Sequence, residues 1–111
     1  MTVIYMKKDE NILAGLKAGD NSAFEALLDL YGDRVLKICY LILKDLPAAE
    51  DAVQEIFIQI YKSIKKFKGN SSLYTWIYKI AVNKCRDLLK DKGEYYLNDE
   101  DINLLSESNV E

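Results

Sequence analysis

The sequence has 111 residues, which is enough for one compact domain and too few for two of ordinary size. Apolar residues make up 50% of it and charged residues 30%, so a core can be buried and disorder of the whole chain is excluded. It has no histidine, and Cys39 and Cys85 lack the spacing of a metal site. We therefore expect no metal, no cofactor and no catalysis of its own.

The formal net charge of −3 hides three blocks of different sign. Residues 1–61 carry −4, residues 62–92 carry +7 and residues 93–111 carry −6. The longest apolar run, residues 38–43, has six residues, whereas a membrane span needs about 20. We expect a cytoplasmic protein without membrane insertion, in which one segment is suited to meet an anion.

Five glycines and one proline are too few for a fold rich in strands and turns, so we predict an all-α fold, a compact bundle of three to four helices. Gly19 should end a first helix over residues 10–18. Ser22 and Glu25 form a capping-box pattern before a second helix over residues 22–44. Gly32 within this helix is interpreted as a position of close packing.

Pro47 suits the first turn of a third helix, predicted over residues 48–64. Residues 65–72 contain glycine, asparagine and two serines, which indicates a loop, and Ser71 or Ser72 can cap a fourth helix over residues 73–90. The helical domain would then cover residues 1–92. Residues 93–111 are predicted to form an acidic linker or tail.

One face of the third helix is not explained by packing. Its outward residues are polar side chains with an isoleucine among them, namely Asp51, Gln54, Glu55, Lys62 and Ile58. Of these, Asp51, Gln54, Glu55 and Ile58 are the candidate binding residues. An isolated surface isoleucine is common. Surrounded by acids and an amide, it also resembles a small protein-docking patch with an apolar centre and a polar rim.

The fourth helix buries a stripe that we predict as Leu73, Ile77, Ile80, Ala81 and Leu88, with Lys84 as a misfit projecting into it. Its other side and the preceding loop combine cations, flat rings and small polar groups, as single-stranded nucleic acid requires. These candidates are Lys65, Lys66, Phe67, Lys68, Asn70, Ser71, Ser72, Trp76, Lys79, Asn83, Arg86 and Lys90. A solvated face is the plainer reading, and Trp76 and Tyr78 could instead complete the core.

Three stretches resemble region 2 of the extracytoplasmic-function (ECF) group of bacterial sigma-70 family sigma factors. They are GDNSAF at residues 19–24, AEDAVQEIF at residues 49–57 and SSLYTWIYKIAVN at residues 71–83. The strings are long and mutually spaced, so the signal is specific. The resemblance covers residues 11–92. It departs from the family at Leu73, where phenylalanine is usual, and at Lys79, where arginine is frequent.

The resemblance implies a subunit that binds core RNA polymerase and recognises and helps melt the promoter minus-ten element. Its third helix would dock on the beta-prime coiled coil, and its loop and fourth helix would hold the non-template single strand, with a flipped base in a pocket formed largely by the loop. An anti-sigma factor is a further possible partner. We expect the family's second domain, region 4, to be absent, since nothing after Gly93 could form it.

A second hypothesis is a helical protein-interaction module that sequesters a transcription regulator without reading DNA. It would need the face around Ile58 but not the basic loop. A small enzyme has little support without histidine, a phosphate loop or a carboxylate cluster in a plausible pocket.

Overall fold

Four helices form the described part of the chain. A computed structural model describes the backbone of residues 2–91 and the side chains of residues 9–91. The helices are α1 (Thr2–Lys17), α2 (Asn21–Leu43), α3 (Leu46–Ser63) and α4 (Leu73–Asp91), and the chain between Ile64 and Lys66 forms a single 3₁₀ turn. Among these residues there is no strand, so the prediction of an all-α bundle is confirmed. No described helix has both the length and the apolar character to cross a bilayer.

The first helix is longer than predicted because it begins at Thr2 rather than near residue 10. The prediction began where the apolar spacing begins, yet neither glycine nor proline interrupts residues 2–9, and nothing there stops a helix from extending. The predicted cap of α2 was also wrong. Asp20 is the N-cap, with an extended backbone, and its carboxylate accepts hydrogen bonds from the Ser22 N–H at 2.9 Å and the Ser22 hydroxyl at 2.8 Å.

The turn between α2 and α3 is tight. Lys44 ends α2 with a left-handed backbone, φ 57°, and its N–H donates to the Tyr40 carbonyl at 2.8 Å. Asp45 then caps α3 by accepting from the Ala48 N–H at 3.3 Å. Pro47 lies in the first turn of the helix, as predicted, where its missing N–H costs nothing. Helix α3 therefore begins at Leu46, two residues before the predicted start.

The core lies where α2 crosses α3 and α4. Its largest fully buried side chains include Leu27, Tyr31, Ile38, Ile56, Ile60 and Ile77. The stripe of α4 is wider than predicted, because Tyr78, Val82, Cys85 and Leu89 are also buried, while Ile80 and Leu88 are only half-buried. Cys85 meets Cys39 of α2 in this core, and the hydrogen bond between the thiols, together with burial, raises the pKa of Cys85.

Close packing occurs at Gly15 rather than at Gly32. A Cβ atom at Gly15 would lie 2.5 Å from the Ala23 Cβ, so glycine lets α1 approach α2. A Cβ atom at Gly32 would meet nothing within 4 Å, so the interpretation of Gly32 as a packing position was wrong. The close approach brings the end of α1 against α2 and fixes where the rest of α1 lies.

Candidate polymerase and nucleic-acid interface

The outer face of α3 is open to solvent. We call Asp51, Gln54, Glu55 and Ile58 the docking face, and all four side chains are exposed. Ile58 is 53% exposed, far more than an isoleucine with a packing role. Its neighbours on the face are two acids and an amide, so the arrangement is an apolar centre with a polar rim, as the sequence predicted.

Tyr61 extends this face and was missed in the sequence. It follows Ile58 by three positions, which places both on the same side of α3, and it is 49% exposed. Its ring makes an edge contact with Phe24 of α2 at a centroid distance of 5.4 Å, which holds it in place. The three-residue spacing from Ile58 is the sequence signal that could have indicated that Tyr61 lies on this face.

One residue of the docking face is joined to α4. The Lys84 ammonium lies 3.4 Å from the Glu55 carboxylate, with the lysine side chain 29% exposed and the glutamate 53%. Lys84, the misfit of the predicted stripe, thus runs past apolar neighbours to an acid on α3. So exposed a pair contributes about 0–1 kcal/mol to stability.

The segment between α3 and α4 places three lysines outward. Lys65 and Lys66 lie on the 3₁₀ turn, Lys68 follows it, and all three are exposed. Phe67 lies among them but turns inward, with 7% of its surface exposed and its ring 5.2 Å from the ring of Trp76. Because the Phe67 ring is buried, little of it is available for a base to stack on. The ring instead supports the segment from the interior side.

Ser72, rather than Ser71, caps α4. The Ser72 Oγ accepts from the Thr75 N–H at 3.1 Å and donates to the Thr75 Oγ1 at 2.8 Å. Gly69 makes the preceding bend with φ +79°, a conformation that side chains disfavour. The loop is therefore held at both ends, by the packed Phe67 ring and by the cap.

A pocket of about 360 Å³ opens between this loop and α1. We call it the loop pocket, and the residues that line it are Asp9, Glu10, Leu13, Phe67, Gly69, Ser71, Ser72 and Leu73. Three of the predicted DNA-binding residues, Phe67, Ser71 and Ser72, thus share one cavity. The contribution of α1 was missed, because nothing in the sequence pairs residues 9–13 with a loop nearly sixty positions later.

Asp9 is anchored at the wall of the loop pocket. The Tyr31 hydroxyl donates to its Oδ1 at 2.6 Å, and Tyr31 itself is buried. Burial raises the pKa of Asp9 above its ordinary value, while the hydrogen bond from Tyr31 and the positive charge of Arg34 act against this. Tyr31 stacks in turn on Tyr74 of α4 at 5.7 Å, and Arg34 lies 5.6 Å from the centre of that second ring.

The outward side of α4 carries further exposed cations. Lys79, Asn83 and Lys90 are exposed, as predicted, whereas Arg86 is half-buried and only part of it reaches solvent. Of the aromatic candidates, Tyr78 is buried in the core and Trp76 is half-buried against Phe67. We call the exposed cations of the loop and α4 the basic face: Lys65, Lys66, Lys68, Lys79 and Lys90. Asn70 lies in the loop and is exposed.

The family model for sigma-70 region 2 matches residues 27–95, more than half of the chain. The chain belongs to the sigma-70 region 2 family. Two similar relatives are the ECF RNA polymerase sigma factor SigW of Bacillus subtilis, 41% identical over 86 residues, and the ECF RNA polymerase sigma-E factor of Escherichia coli K12, 36% identical over 87 residues. The ECF resemblance predicted from the motifs is thus confirmed.

These matches cover 77% of this chain but 46% and 44% of the two relatives, so the chain spans about half the length of the curated relatives it matches. Among solved structures, it is similar to an engineered region 2 of sigmaE in complex with GTAAAA. That likeness has a TM-score of 0.70 and 30% identity, and it covers 77% of this chain and 88% of the other.

Proposed function

We propose that this sigma region 2 domain binds core RNA polymerase through the docking face and holds the melted non-template strand of the minus-ten element on the basic face and in the loop pocket. The observation that carries the proposal is the position of the loop pocket, directly beside the exposed lysines of residues 65–68. A backbone phosphate can meet a lysine while the adjacent base enters an apolar-floored cavity.

The energetics are consistent with phosphates binding at the basic face and a base binding in the loop pocket. Removing a base from a duplex costs a few kcal/mol in lost stacking and pairing. A pocket held by the Ser72 cap and the packed Phe67 ring needs little ordering on binding, so most of its contact energy can offset that cost. The excess of acid outside residues 62–92 weakens unassisted DNA binding, so the protein should not occupy promoters without polymerase.

The structural neighbour supports the choice of ligand. It is a region 2 of similar fold in complex with GTAAAA. By analogy, we propose that a short single strand is the ligand here, and that the beta-prime coiled coil of polymerase is the protein partner. Cover of these same faces by an anti-sigma factor stays a prediction.

The test is the binding of fluorescently labelled GTAAAA to the full chain, followed by anisotropy, with a scrambled hexamer of the same composition as the control. Tighter binding of GTAAAA is expected. Equal binding of the scrambled hexamer would contradict sequence reading by this domain. Binding of neither hexamer, together with retention on the beta-prime coiled coil, would favour a module that binds only protein.

A further inference from the structure

The segment between α3 and α4 is tied to α1 by a lysine fifty positions away. Lys17, in the last turn of α1, donates from its ammonium to the Phe67 carbonyl at 3.0 Å. Among the residues whose side chains the structure describes, this is the one hydrogen bond that joins the segment to α1. Its donor is charged, and a charge-assisted hydrogen bond is stronger than one between neutral groups.

The acceptor lies where the chain changes direction. The 3₁₀ turn closes with the Phe67 N–H donating to the Ile64 carbonyl at 3.1 Å, and Phe67 then leaves the turn with an extended backbone, φ −68° and ψ 120°. The Phe67 carbonyl and the Lys68 N–H belong to one planar peptide unit. A donor that holds this carbonyl therefore sets the plane from which Lys68 and the bend at Gly69 continue.

Packing alone does not hold the carbonyl of Phe67. The buried ring fixes the Cα atom, but rotation about the following Cα–C bond still turns the carbonyl. Residues 68–70 are exposed, and the hydrogen bonds of residues 68–72 in the described chain lie at the far end, around the Ser72 cap. The hydrogen bond from Lys17 thus supplies order at the near end of the loop.

Lys17 is itself an exposed cation, so a direct contact with a phosphate is the competing role. An ammonium has three donors, and the bond to Phe67 uses one of them. The two roles predict different salt dependence. A phosphate contact releases a counterion and contributes to the slope of log affinity against log salt, whereas a group that only holds the loop does not.

Resting on the proposed function, we infer that Lys17 is a positioning residue, whose hydrogen bond to the Phe67 carbonyl holds the loop in the conformation that binds the melted strand. Without this bond, the strand must order the loop as it binds. The affinity then falls by no more than the net strength of the hydrogen bond. Lys17 acts in promoter recognition through the loop and does not touch the DNA.

The test measures binding of labelled GTAAAA to the full chain and three variants over a range of salt concentrations, well below the thermal midpoint of each. Lys17→Met keeps a four-atom apolar stem and removes the donor, and Lys17→Arg keeps a charged donor. Lys37→Met is the matched control, because it removes the same charge from an exposed position on α2.

We expect Lys17→Met to bind GTAAAA about fivefold more weakly than Lys37→Met, which is within the net strength of one hydrogen bond. The two variants should have the same salt slope, and Lys17→Arg should bind nearly as tightly as wild type. The affinity for the beta-prime coiled coil should be unchanged in all three, because the docking face lies on α3, away from the loop.

The outcomes separate the inference from the proposed function. Equal GTAAAA affinity of Lys17→Met and Lys37→Met overturns the inference, as does a salt slope that is smaller by about 0.7 in Lys17→Met alone. It is also wrong if Lys17→Met loses affinity for the coiled coil, or if Lys17→Arg binds as weakly as Lys17→Met. In each case the function stands when wild type prefers GTAAAA to the scrambled hexamer. If wild type binds both hexamers equally, sequence reading fails, and the inference fails with it.

Discussion

The docking face and the loop pocket are built in different ways. The docking face lies on the single helix α3, and its exposure follows from helix geometry alone. The loop pocket is assembled from α1, the loop and the start of α4, and it depends on contacts such as that between Lys17 and Phe67, fifty positions apart. Small changes in helix packing should therefore damage the pocket while leaving the docking face intact.

Among the described residues, the docking face has one ion pair to α4, outside the loop pocket. Lys84 of α4 pairs with Glu55 of the docking face at 3.4 Å. Because the pair is partly exposed and weak, a positive group from a partner can replace the lysine at little cost. A substitution at another position should therefore change binding at the docking face or at the loop pocket without changing binding at the other.

The largest effect is expected from Ile58→Asp. The substitution removes the apolar contact at the centre of the docking face and buries an aspartate there when the partner binds. The affinity for the beta-prime coiled coil should therefore fall by about 30-fold or more. The thermal midpoint should stay near that of wild type, because Ile58 is 53% exposed in the free chain. Surface plasmon resonance and thermal unfolding measure the two quantities.

The control for Ile58→Asp is Tyr40→Asp, a similarly exposed apolar position on α2, outside the docking face. It should retain its affinity for the coiled coil. Both variants should still bind single-stranded DNA. A coiled-coil affinity that Ile58→Asp leaves unchanged would contradict the assignment of the docking face.

The next effect is expected from Gly15→Ala. The new methyl group would meet the Ala23 Cβ, and overpacking of this kind costs about 1–3 kcal/mol, against a gain of about 0.5–1 kcal/mol from replacing a helical glycine. The free energy of unfolding should fall. Because α1 must shift, DNA binding should weaken while coiled-coil binding does not.

Gly32→Ala is the matched control for Gly15→Ala. It makes the same change inside α2, where the added Cβ atom meets nothing within 4 Å, so it should stabilise the fold by about 0.5–1 kcal/mol. Urea unfolding measures both variants. A Gly15→Ala protein as stable as Gly32→Ala would show that α1 is not tightly packed on α2.

A smaller effect is expected from Lys79→Ala on α4. If Lys79 contacts a phosphate, its loss removes one released counterion, and the slope of log affinity against log salt should decrease in magnitude by about 0.7. Lys37→Ala, an exposed lysine on α2, should leave the slope unchanged. A slope that Lys79→Ala does not alter would indicate that this lysine faces only solvent.

Most of the fold could be predicted from the sequence because apolar spacing and caps are local signals. Pro47 in the first turn of α3 was recognised in this way, and Ser72 was one of two serines predicted to cap α4. Two local signals were misread, the cap of α2 and the start of α1, whereas the failure at Gly32 was not local. Gly32 and Gly15 have the same chemistry, and only the approach of a second helix decides which of them needs the space.

The candidate site shows the same difference between local sequence signals and contacts of residues distant in the chain. The residues of the docking face were predicted together because one helix period relates them. Phe67 was predicted as a DNA contact, but its burial depends on Trp76, which follows nine positions later beyond a bend. The residues of α1 that line the loop pocket carry no motif, so the sequence does not show that they lie beside the loop.

The smallest effect is expected in the pH dependence of stability, because the pKa values of two aspartates are shifted in opposite directions. Burial raises the pKa of Asp9 above 3.8, so its contribution to stability is fully present below that value and is lost as pH rises through the folded pKa. Hydrogen bonds from Ser22 lower the pKa of Asp20, so its contribution is present above 3.8 and is lost as pH falls through the folded pKa.

Asp9→Asn and Asp20→Asn separate these contributions, since asparagine keeps an acceptor oxygen at each place but does not titrate. Between about pH 3 and pH 6, the stability of wild type relative to Asp9→Asn should fall, and its stability relative to Asp20→Asn should rise. Urea unfolding at each pH measures both differences. If the stability of wild type relative to Asp9→Asn instead rises with pH, Asp9 is not buried at the wall of the loop pocket. The loop pocket would then lack the anchored side chain of Asp9, whereas the docking face on α3 would be unaffected.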